Sequence, residues 1–404
     1  MIRLRFDKNN TLLALTTLLA IIGCSPEKNT DYSNNATLIA VNKTQSEQMS
    51  LSTLSDSISY VLLDTPQELA IGQIDRVLLT QKRFFVLDRE IASALFVFDL
   101  NGKLIFDIQE GIGGPGEVLE FSDFDVSDQA QELYILDNNS KDIKVFDFAG
   151  ELINRIRLPF FAASINVLGN EIAVFRNNQY VKGGDANNNQ VVVFSKEGEM
   201  LRGFLPLSAE NDYLSFHDSF RPFQSTGSSW IFSQALNDTI YEISGSTVTS
   251  KYVMDFGDKS LGNIEGGFFG VNDFLRSEQR MESQYLMGDT FENDDYLMSL
   301  FYAGKTYKYV FYDKLTQKTS VVSKIDNDLD YVPYLHTKFA NNSLMIADLP
   351  AELLLSLNEQ IEELTKKTKK IKELISNPVF EKENPILMLV HLKKWENTNE
   401  AVFK

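Results

Sequence analysis

The chain has 404 residues, 43% of them hydrophobic, which is enough for a large core and more than one small domain needs. The formal net charge is −18, and basic residues form no run longer than a short cluster near residue 367. A protein that binds nucleic acid through a basic face is therefore not expected, and an acidic surface suits a soluble protein outside the cytoplasm.

The first 23 residues have the composition of a targeting segment rather than of a folded domain. Arg3, Arg5 and Lys8 precede an apolar run of 11 residues, "LLALTTLLAII", at 12–22. A transmembrane helix needs about 20 apolar residues, so this run is too short to span a bilayer. The sequence therefore predicts a signal peptide at 1–23 that is absent from the mature protein.

The segment ends in "IIGC", and Cys24 is the only cysteine of the chain. This ending resembles the lipobox of bacterial lipoproteins, with Ile21 where leucine is usual. The resemblance implies that Cys24 becomes a lipid-modified N-terminus, which anchors the protein to a membrane surface of the cell envelope, expected to be the outer membrane. Residues 24–50 are polar and rich in Asn and Ser, and they are predicted to be a tether.

An internal repeat of 48 residues then dominates the sequence. "LFVFDLNGKLI", "IKVFDFAGELI" and "VVVFSKEGEML" begin at Leu95, Ile143 and Val191. Looser copies follow around Tyr241 and Tyr312. The corresponding positions of the three clear copies are Phe98, Phe146 and Phe194, and Gly102, Gly150 and Gly198.

Each copy contains a strand rich in Phe, Val and Ile, a turn with glycine, and a returning strand. A further strand precedes it, as in "FFVLD" at 84–88 and "LYILD" at 133–137. About four strands in about 48 residues is the size of a propeller blade.

Two stretches, about 265–303 and 350–375, are predicted to be helical insertions. The rest of residues 51–404 has room for about six blades of 48 residues. The fold class is therefore all-β, a six-bladed β-propeller of four-stranded blades with two helical insertions. The helix at 350–375 is amphipathic and is expected to pack on the propeller. Its apolar stripe comprises Leu353, Leu357, Ile361, Leu364, Ile371 and Leu374.

A propeller avoids exposed edges by closing its ring. The strand "ISYVLLD" at 58–64 precedes the first full repeat, and "PILMLVHL" at 385–392 follows the last helix. We predict that these two strands share one blade.

One glycine-rich loop has the spacing of a dinucleotide-binding motif. Gly111, Gly113 and Gly116 follow a strand, but Pro115 interrupts the loop and a strand-like segment at 121–127 follows it. A dinucleotide site would need a helix to begin at the loop, because the helix N-terminus receives the pyrophosphate. The loop is therefore predicted to be a turn that links two blades.

Residues 71–127 resemble the six-bladed β-propeller lipoproteins of Bacteroidetes-type bacteria. The matching features are "YVLLDT" before the first blade, the Phe-Asp-x-x-Gly turn and the "GGPGE" loop, and "LNDTIYEI" at 236–243 is another. The resemblance implies fold, lipid anchoring and an envelope location. It implies no catalytic residues.

The residues that could carry chemistry are few. The histidines are His217, His336 and His391, and only a convergence of all three would make a zinc triad. "DNDLD" at 326–330 has the early spacing of a calcium loop but lacks its glycine and its final glutamate. No cofactor is predicted, and a calcium ion in the channel stays an open alternative.

The loop at 208–227 is rich in aromatic residues and is the candidate contact surface for a ligand. Its alternative role is to cap the edge of a blade. The candidate residues are Tyr213, Phe216, His217, Phe220, Arg221 and Phe223.

These observations favour a monomeric, non-catalytic binding or scaffold lipoprotein for a glycan or an envelope protein. The alternative is a lactonase-like or lyase-like propeller enzyme with a metal and carboxylates in its channel. The side chains that line the channel distinguish the two hypotheses.

Overall fold

The computed structural model describes residues 36–43, 46–114, 116–182, 188–216, 221–261, 271–334, 337–360 and 369–393. The strands within these ranges form six separate sheets, each built on four antiparallel strands. Five of these sets of four follow the chain in order, the sixth takes its last strand from the beginning of the ring, and two sheets have a fifth, parallel strand. The predicted six-bladed β-propeller of four-stranded blades is confirmed.

Three strands precede the first complete blade, and three blades of four strands follow. The strands before blade 1 are β1 (Thr37–Ala40), β2 (Ser46–Ser50) and β3 (Ser55–Leu62). Blade 1 comprises β4 (Arg76–Leu79), β5 (Arg83–Asp88), β6 (Ala94–Asp99) and β7 (Leu104–Gln109). Blade 2 comprises β8 (Asp123–Ser127), β9 (Glu132–Asp137), β10 (Asp142–Asp147) and β11 (Leu152–Arg157). Blade 3 comprises β12 (Ser164–Leu168), β13 (Glu171–Phe175), β14 (Asn189–Ser195) and β15 (Met200–Pro206).

The second half of the ring contains the helices. Blade 4 comprises β16 (Phe223–Thr226), β17 (Ser229–Phe232), β18 (Thr239–Ser244) and β19 (Thr247–Asp255). The helices α1 (Val271–Arg276) and α2 (Glu278–Glu282) come next. Blade 5 comprises β20 (Gln284–Glu292), β21 (Tyr296–Ala303), β22 (Thr306–Asp313) and β23 (Thr319–Asp326). Blade 6 contains β24 (Thr337–Ala340), β25 (Leu344–Leu349) and β26 (Ile386–Leu392), with α3 (Ala351–Gln360) and α4 (Lys369–Ile375) between the last two.

The ring closes as the sequence predicts. β26 is the third strand of blade 6 and pairs antiparallel with β3, which supplies the fourth strand from the other end of the chain. Val390 lies opposite Ile58, and Ile386 lies opposite Leu62. The first and last strands of the ring are thus held in one sheet, and β26 is paired on both sides.

Two strands lie before residue 51, the predicted start of the propeller. β1 pairs in parallel with β19, and β2 pairs in parallel with β23. They add a fifth strand to the outer edges of blades 4 and 5. Residues 37–50, which the sequence assigns to the tether, therefore include part of the folded domain.

The helical insertion predicted at 265–303 is wrong over its second half, and its first residues, 265–270, lie outside the described part of the chain. α1 and α2 end at Glu282, and residues 284–303 form β20 and β21, the two inner strands of blade 5. Both strands are buried on both faces, so they lack the alternation that marks a half-exposed strand. Their Leu and Met residues also favour helices, and the sequence pattern could not separate the two states.

The second insertion is helical on both sides of residues 361–368, which lie outside the described part of the chain together with Ile361 and Leu364. Ala351, Leu354, Ile371 and Leu374 are buried in the largest apolar cluster, which also contains strands of blades 5 and 6. The predicted packing of this segment on the propeller is confirmed. No helix in the described ranges is long and apolar enough to cross a membrane.

In an antiparallel blade, alternate connections lie at the same end of the strands. The links between blades and the connections from second to third strand therefore share one face of the ring, which we call the upper face. The innermost strands β4, β8, β12, β16, β20 and β24 all run away from this face.

Candidate functional site

A cavity of about 560 Å³ lies on the axis of the ring. It is lined by residues at or near the innermost strands of all six blades and, mainly in blade 5, by residues of strands further out. We call it the axial funnel. Every blade contributes a polar side chain to its wall. In blade order these are Arg76, Asp123, Ser164, Arg221, Asp289 and Lys338.

One side of the funnel wall is a hydrogen-bonded chain across three blades. Arg76 of blade 1 donates from Nη1 to Oδ1 of Asp123 in blade 2. The other carboxylate oxygen of Asp123 accepts from Ser164 Oγ at 2.5 Å and from Ile165 N at 3.0 Å, both in blade 3. These side chains therefore join neighbouring blades where the sheets themselves have no hydrogen bonds.

Asp125 lies further along the same inner strand. Its Oδ2 accepts from Val167 N at 2.5 Å, and its Oδ1 is 4.0 Å from Nη2 of Arg76. Burial raises the pKa of Asp125 to about 6, although the Arg76 charge and the backbone hydrogen bonds act in the opposite direction. Burial alone would lower the pKa of Arg76, but Asp123 and Asp125 outweigh it and raise the pKa.

Arg221 is held on the opposite side of the funnel by a bidentate pair. Nε and Nη2 donate to the two carboxylate oxygens of Asp289 at 2.8 Å and 2.6 Å, and Nη2 also donates to the carbonyl of Thr337. The guanidinium carbon lies 4.6 Å from the centre of the Phe291 ring. These contacts from blades 5 and 6 fix the guanidinium in one orientation.

Lys338 completes the ring of charges and is weakly paired. Its Nζ donates to the carbonyl of Ile74 at 2.6 Å and lies 3.8 Å from Oδ1 of Asp348. The second distance is too long for a hydrogen bond. Burial lowers the pKa of Lys338; Asp348 opposes this shift, and the nearby Arg221 charge adds to it. Burial also raises the pKa of Asp348.

The funnel opens toward loops with exposed apolar side chains. Arg89 lies at the rim, and its backbone N–H donates to Asp75 Oδ2 at 2.7 Å. Large apolar residues at least two-fifths exposed occupy the links and loops of the upper face and, in one case, the beginning of β22. They are Ile91, Ile112, Phe161, Val181, Tyr307 and Tyr331. A polar centre with an apolar surround is an arrangement suited to ligand or partner binding.

The candidate contact loop is only partly within the described residues. Arg221 lies in the funnel, as described above. Phe223 is buried in β16, and its ring centre is 5.2 Å from that of Phe232, so it belongs to the core of blade 4. Tyr213 and Phe216 lie in the 3-10 helix Ala209–Phe216, but their side chains are outside the described set. His217, Phe220 and Cys24, the predicted site of lipidation, are also outside it.

Four charged residues of the funnel are not among the candidates predicted from the sequence: Arg76, Asp123, Asp289 and Lys338. Arg76 and Asp123 are 47 residues apart, close to the repeat length, so a comparison of the first strands of the blades could have found this pair. Asp289 lies on a strand predicted to be helical. It follows a bulge at which Gly288 has a φ of 71°, and this bulge shifts its register.

A second cavity of about 550 Å³ lies at the opposite face, between hairpins of blades 4, 5 and 6. Its centre is Glu292, which accepts from Tyr252 Oη at 2.8 Å and pairs with Lys251 and Lys314 at 3.0 Å and 2.6 Å. Although burial opposes it, the lysines and Tyr252 lower the pKa of Glu292. The polar groups that line this cavity pair with one another, so we regard them as a structural ion-pair network rather than as a ligand site.

The other candidate positions have structural contacts. In the turn at 326–330, Asp328 accepts from Ser52 N and Oγ, and Asp330 accepts from Tyr60 Oη at 2.7 Å. His391 Nε2 is 2.8 Å from Ser59 Oγ, and His217 and His336 lie outside the described residues. Over the described ranges, no group of three His, Cys, Asp or Glu side chains is placed to share a metal ion.

The glycine-rich loop links blades 1 and 2, between β7 and β8. The carboxylate of Glu117 accepts from Gly113 N at 2.9 Å and Gly114 N at 2.6 Å, and these hydrogen bonds lower its pKa. Gly113 has a φ of 107°. The amide groups that could bind a phosphate are thus occupied by a side chain of the loop itself.

The fold and the funnel define a six-bladed β-propeller with a polar axial site. The sequence also matches, over residues 36–391, the family described as "Domain of unknown function (DUF4934)". The chain belongs to this family.

Among solved structures, a Bacteroides fragilis protein whose name describes it as exported is 16% identical, with a TM-score of 0.65 over 89% of this chain and 100% of that one. A DUF4221 family member from Bacteroides vulgatus is 10% identical, with a TM-score of 0.49 over 84% and 97% of the two chains. Virginiamycin B lyase from Staphylococcus aureus is 14% identical, with a TM-score of 0.40 over 68% and 76%. No curated protein matches the sequence.

Proposed function

We propose that this chain is a lipid-anchored, non-catalytic binding module of the cell envelope that takes a glycan or a segment of a protein partner into the axial funnel. The observation that carries the proposal is the funnel itself. It is a cavity of about 560 Å³ to which all six blades contribute polar side chains. Ligand sites in proteins are concave, occupy about 300–1,000 Å³ and combine a few fixed polar groups with an apolar lining.

The charges of the funnel favour binding over catalysis. Asp123 and Asp289 each accept hydrogen bonds on both carboxylate oxygens, so each carboxylate is held by fixed donors. Asp75 accepts from Arg89 N and from Gln73 Nε2. Carboxylates with fixed donors are suited to hold the shape of a site, whereas a general base needs a lone pair directed at the substrate.

The proposed location rests on the N-terminal sequence. The basic residues, the short apolar run and Cys24 occur in the order that lipid modification requires. The Bacteroides fragilis protein with the same fold, described as exported, is consistent with an envelope location. Replacing Cys24 with Ser should abolish incorporation of a labelled fatty acid and release the protein from the membrane fraction.

A funnel-blocking variant tests the function. Ala163 lines the funnel, and Ala163→Trp would fill part of it. Ala149 lies in the exposed turn after β10, on the opposite face, so Ala149→Trp is the matched control. We expect residues 25–404 to bind members of a glycan array, with at least tenfold weaker binding for Ala163→Trp and no change for Ala149→Trp.

Equal binding by both tryptophan variants would contradict a site in the funnel. If no glycan binds, wild type and the same two variants are each cross-linked to neighbouring envelope proteins in intact cells, and the captured proteins are compared.

Metal analysis of protein purified without chelator tests the alternative of a propeller enzyme. A stoichiometric metal together with turnover of a bound ligand would overturn the non-catalytic assignment.

A further inference from the structure

We infer that the axial funnel recognises a carbohydrate that bears one carboxylate, such as a hexuronate, and that this carboxylate binds between Lys338 and Arg221. The inference rests on the proposed function, since it names the ligand class of the same site. It is carried by donor groups left over after the internal hydrogen bonds of the funnel are made.

The ammonium group of Lys338 has more N–H donors than the described structure engages. An ammonium group has three N–H donors. One of them donates to the carbonyl of Ile74, and the carboxylate of Asp348 is 3.8 Å away, beyond hydrogen-bond distance. An anion in the funnel would give the buried ammonium the close partner that Asp348 does not provide.

Arg221 has a leftover donor as well. Nε and Nη2 are engaged by Asp289 and Thr337, but Nη1 is buried without a hydrogen-bond partner in the described part of the chain. The Arg221 charge is close enough to contribute to the lowered pKa of Lys338. Two cations that face one cavity repel each other, and an anion between them would replace that repulsion by two attractions.

The other charges of the wall favour a single carboxylate over a phosphate. The lining has four cations (Arg76, Arg89, Arg221, Lys338) and three carboxylates (Asp75, Asp123, Asp289). Among the residues that line the cavity, the cations therefore exceed the carboxylates by one. Two further carboxyl groups lie beside lining cations, Asp125 near Arg76 and Asp348 near Lys338, and burial raises the pKa of both. A phosphate dianion would bring a second negative charge close to these three carboxylates, which is unfavourable.

The rest of the lining suits a sugar ring. Leu87, Ala163 and Leu300 provide apolar surface, and Tyr307 and Tyr309 provide aromatic rings. The aliphatic face of a sugar can pack on such surfaces while its hydroxyl groups bind polar neighbours. The funnel volume is large enough for a short oligosaccharide.

The test compares two sugars that differ only at C6. Methyl β-D-glucuronide carries a carboxylate where methyl β-D-glucoside carries a hydroxymethyl group. Titrations of residues 25–404 followed by NMR should show at least tenfold tighter binding of the glucuronide, because charge-assisted hydrogen bonds are stronger than neutral ones. Inorganic phosphate, the third probe, should bind more weakly than the glucuronide.

The variants locate the carboxylate. Lys338→Gln should weaken glucuronide binding at least tenfold and change glucoside binding less than twofold, whereas Lys338→Arg should restore most of the affinity. Arg89→Gln, at an exposed rim position, removes one of the four cations that line the funnel and should weaken glucuronide binding several-fold, because the attraction for a carboxylate falls. Lys103→Gln, in an exposed turn between β6 and β7, is the control.

The outcomes separate this inference from the proposed function. Equal affinity for the two sugars, tighter binding of phosphate, or glucuronide binding that survives both Lys338→Gln and Arg89→Gln would overturn the inference. Array ligands lost in Ala163→Trp would still support the funnel as a site. If Ala163→Trp has no effect on any ligand, the proposed function fails as well.

Discussion

At the scale of single residues, the repeat is explained by one turn. Asp147 Oδ1 accepts from Ala149 N and Glu151 N, both at 2.9 Å, and Asp99 makes the same pair of contacts one blade earlier. The glycine three residues later has positive φ, as at Gly102, where a Cβ would also lie 2.1 Å from the carbonyl oxygen of Leu62. The Asp-x-x-Gly pattern is therefore explained by the hydrogen bonds that the aspartate accepts and by the close approach of a neighbouring backbone carbonyl to the glycine.

The first prediction concerns this turn. Asp147→Ala removes the acceptor of two backbone N–H groups and should lower the free energy of unfolding by about 1–2 kcal/mol, measured by urea denaturation. Asp147→Asn keeps an acceptor oxygen and should lose less than half as much. Equal losses in the two variants would show that the charge, and not the hydrogen bonds, stabilises the turn.

The second prediction concerns a fully buried ion pair in blade 2. Lys144 donates to Asp137 and to Ser140, and both members of the pair are almost inaccessible to solvent. Burial acts to raise the pKa of Asp137, but hydrogen bonds from Leu119 N, Lys144 and Ser140 outweigh it and lower the pKa. Lys144→Met leaves a buried carboxylate without its cation and should destabilise the protein by about 3–5 kcal/mol at pH 7.

The loss should depend on pH in a defined direction. A carboxyl group with a lowered folded-state pKa stabilises the fold above its unfolded pKa of about 4, and this contribution disappears as the pH falls through the folded-state value. The difference between wild type and Lys144→Met should therefore shrink in acid. A difference that stays constant from pH 7 to pH 2.5 would contradict this account, and Lys103→Met, at an exposed position, should stay within about 0.5 kcal/mol of wild type throughout.

At the scale of elements, the N-terminal strands cover two blade edges. β1 lies on β19 and β2 lies on β23, in parallel pairing. Ile39 and Val41 are buried in an apolar cluster with strands of blades 4 and 5, whereas Leu38 is 64% exposed. β1 and β2, of four and five residues, become the edge strands in place of β19 and β23, of nine and eight residues. Shorter edge strands offer less backbone for pairing with another chain.

The third prediction uses the contrast between adjacent residues of β1. Ile39→Ala should lower the free energy of unfolding by about 2–4 kcal/mol, because it leaves a cavity between two blades. Leu38→Ala should change it by less than about 0.5 kcal/mol. Thermal unfolding followed by circular dichroism measures both, and similar losses in the two variants would mean that β1 does not pack on blades 4 and 5 in solution.

At the scale of the whole molecule, blade 6 makes the ring a single unit. Its fourth strand comes from residues 55–62 and its third from residues 386–392. In an open repeat array each unit contacts only its neighbours, and local unfolding can spread independently. In this closed ring, unfolding of blade 6 releases its N-terminal strand and its C-terminal strand at the same time, so the ring is no longer closed.

The fourth prediction is that unfolding is cooperative around the ring. Met388 is fully buried in β26, and Met388→Lys should lower the urea midpoint reported by Trp230, which is buried in blade 4. Trp395, the other tryptophan, is replaced with Phe so that fluorescence reports Trp230 alone. A Trp230 transition that stays at the wild-type midpoint would show that blade 4 unfolds independently; His391→Lys, at an exposed position of the same strand, is the control.

The sequence by itself determined the number of blades, the turn positions and the pairing that closes the ring. Phe98, Phe146 and Phe194 all lie on the third strands of their blades, as their 48-residue spacing requires. These features are local or periodic, because a turn needs particular residues at fixed offsets and a blade needs strands of similar length. The strands at 284–303 were not predicted, because both of their faces are buried and their sequence therefore lacks the alternation of a half-exposed strand.

Only the tertiary structure decided the site. Successive members of the set Arg76, Asp123, Arg221, Asp289 and Lys338 are separated by 47 to 98 residues in the sequence, and they meet only because six inner strands surround one axis. The charge of each side chain is visible in the sequence. Which carboxylate neutralises which cation, and which donors remain for a ligand, depends on distances that no local pattern encodes.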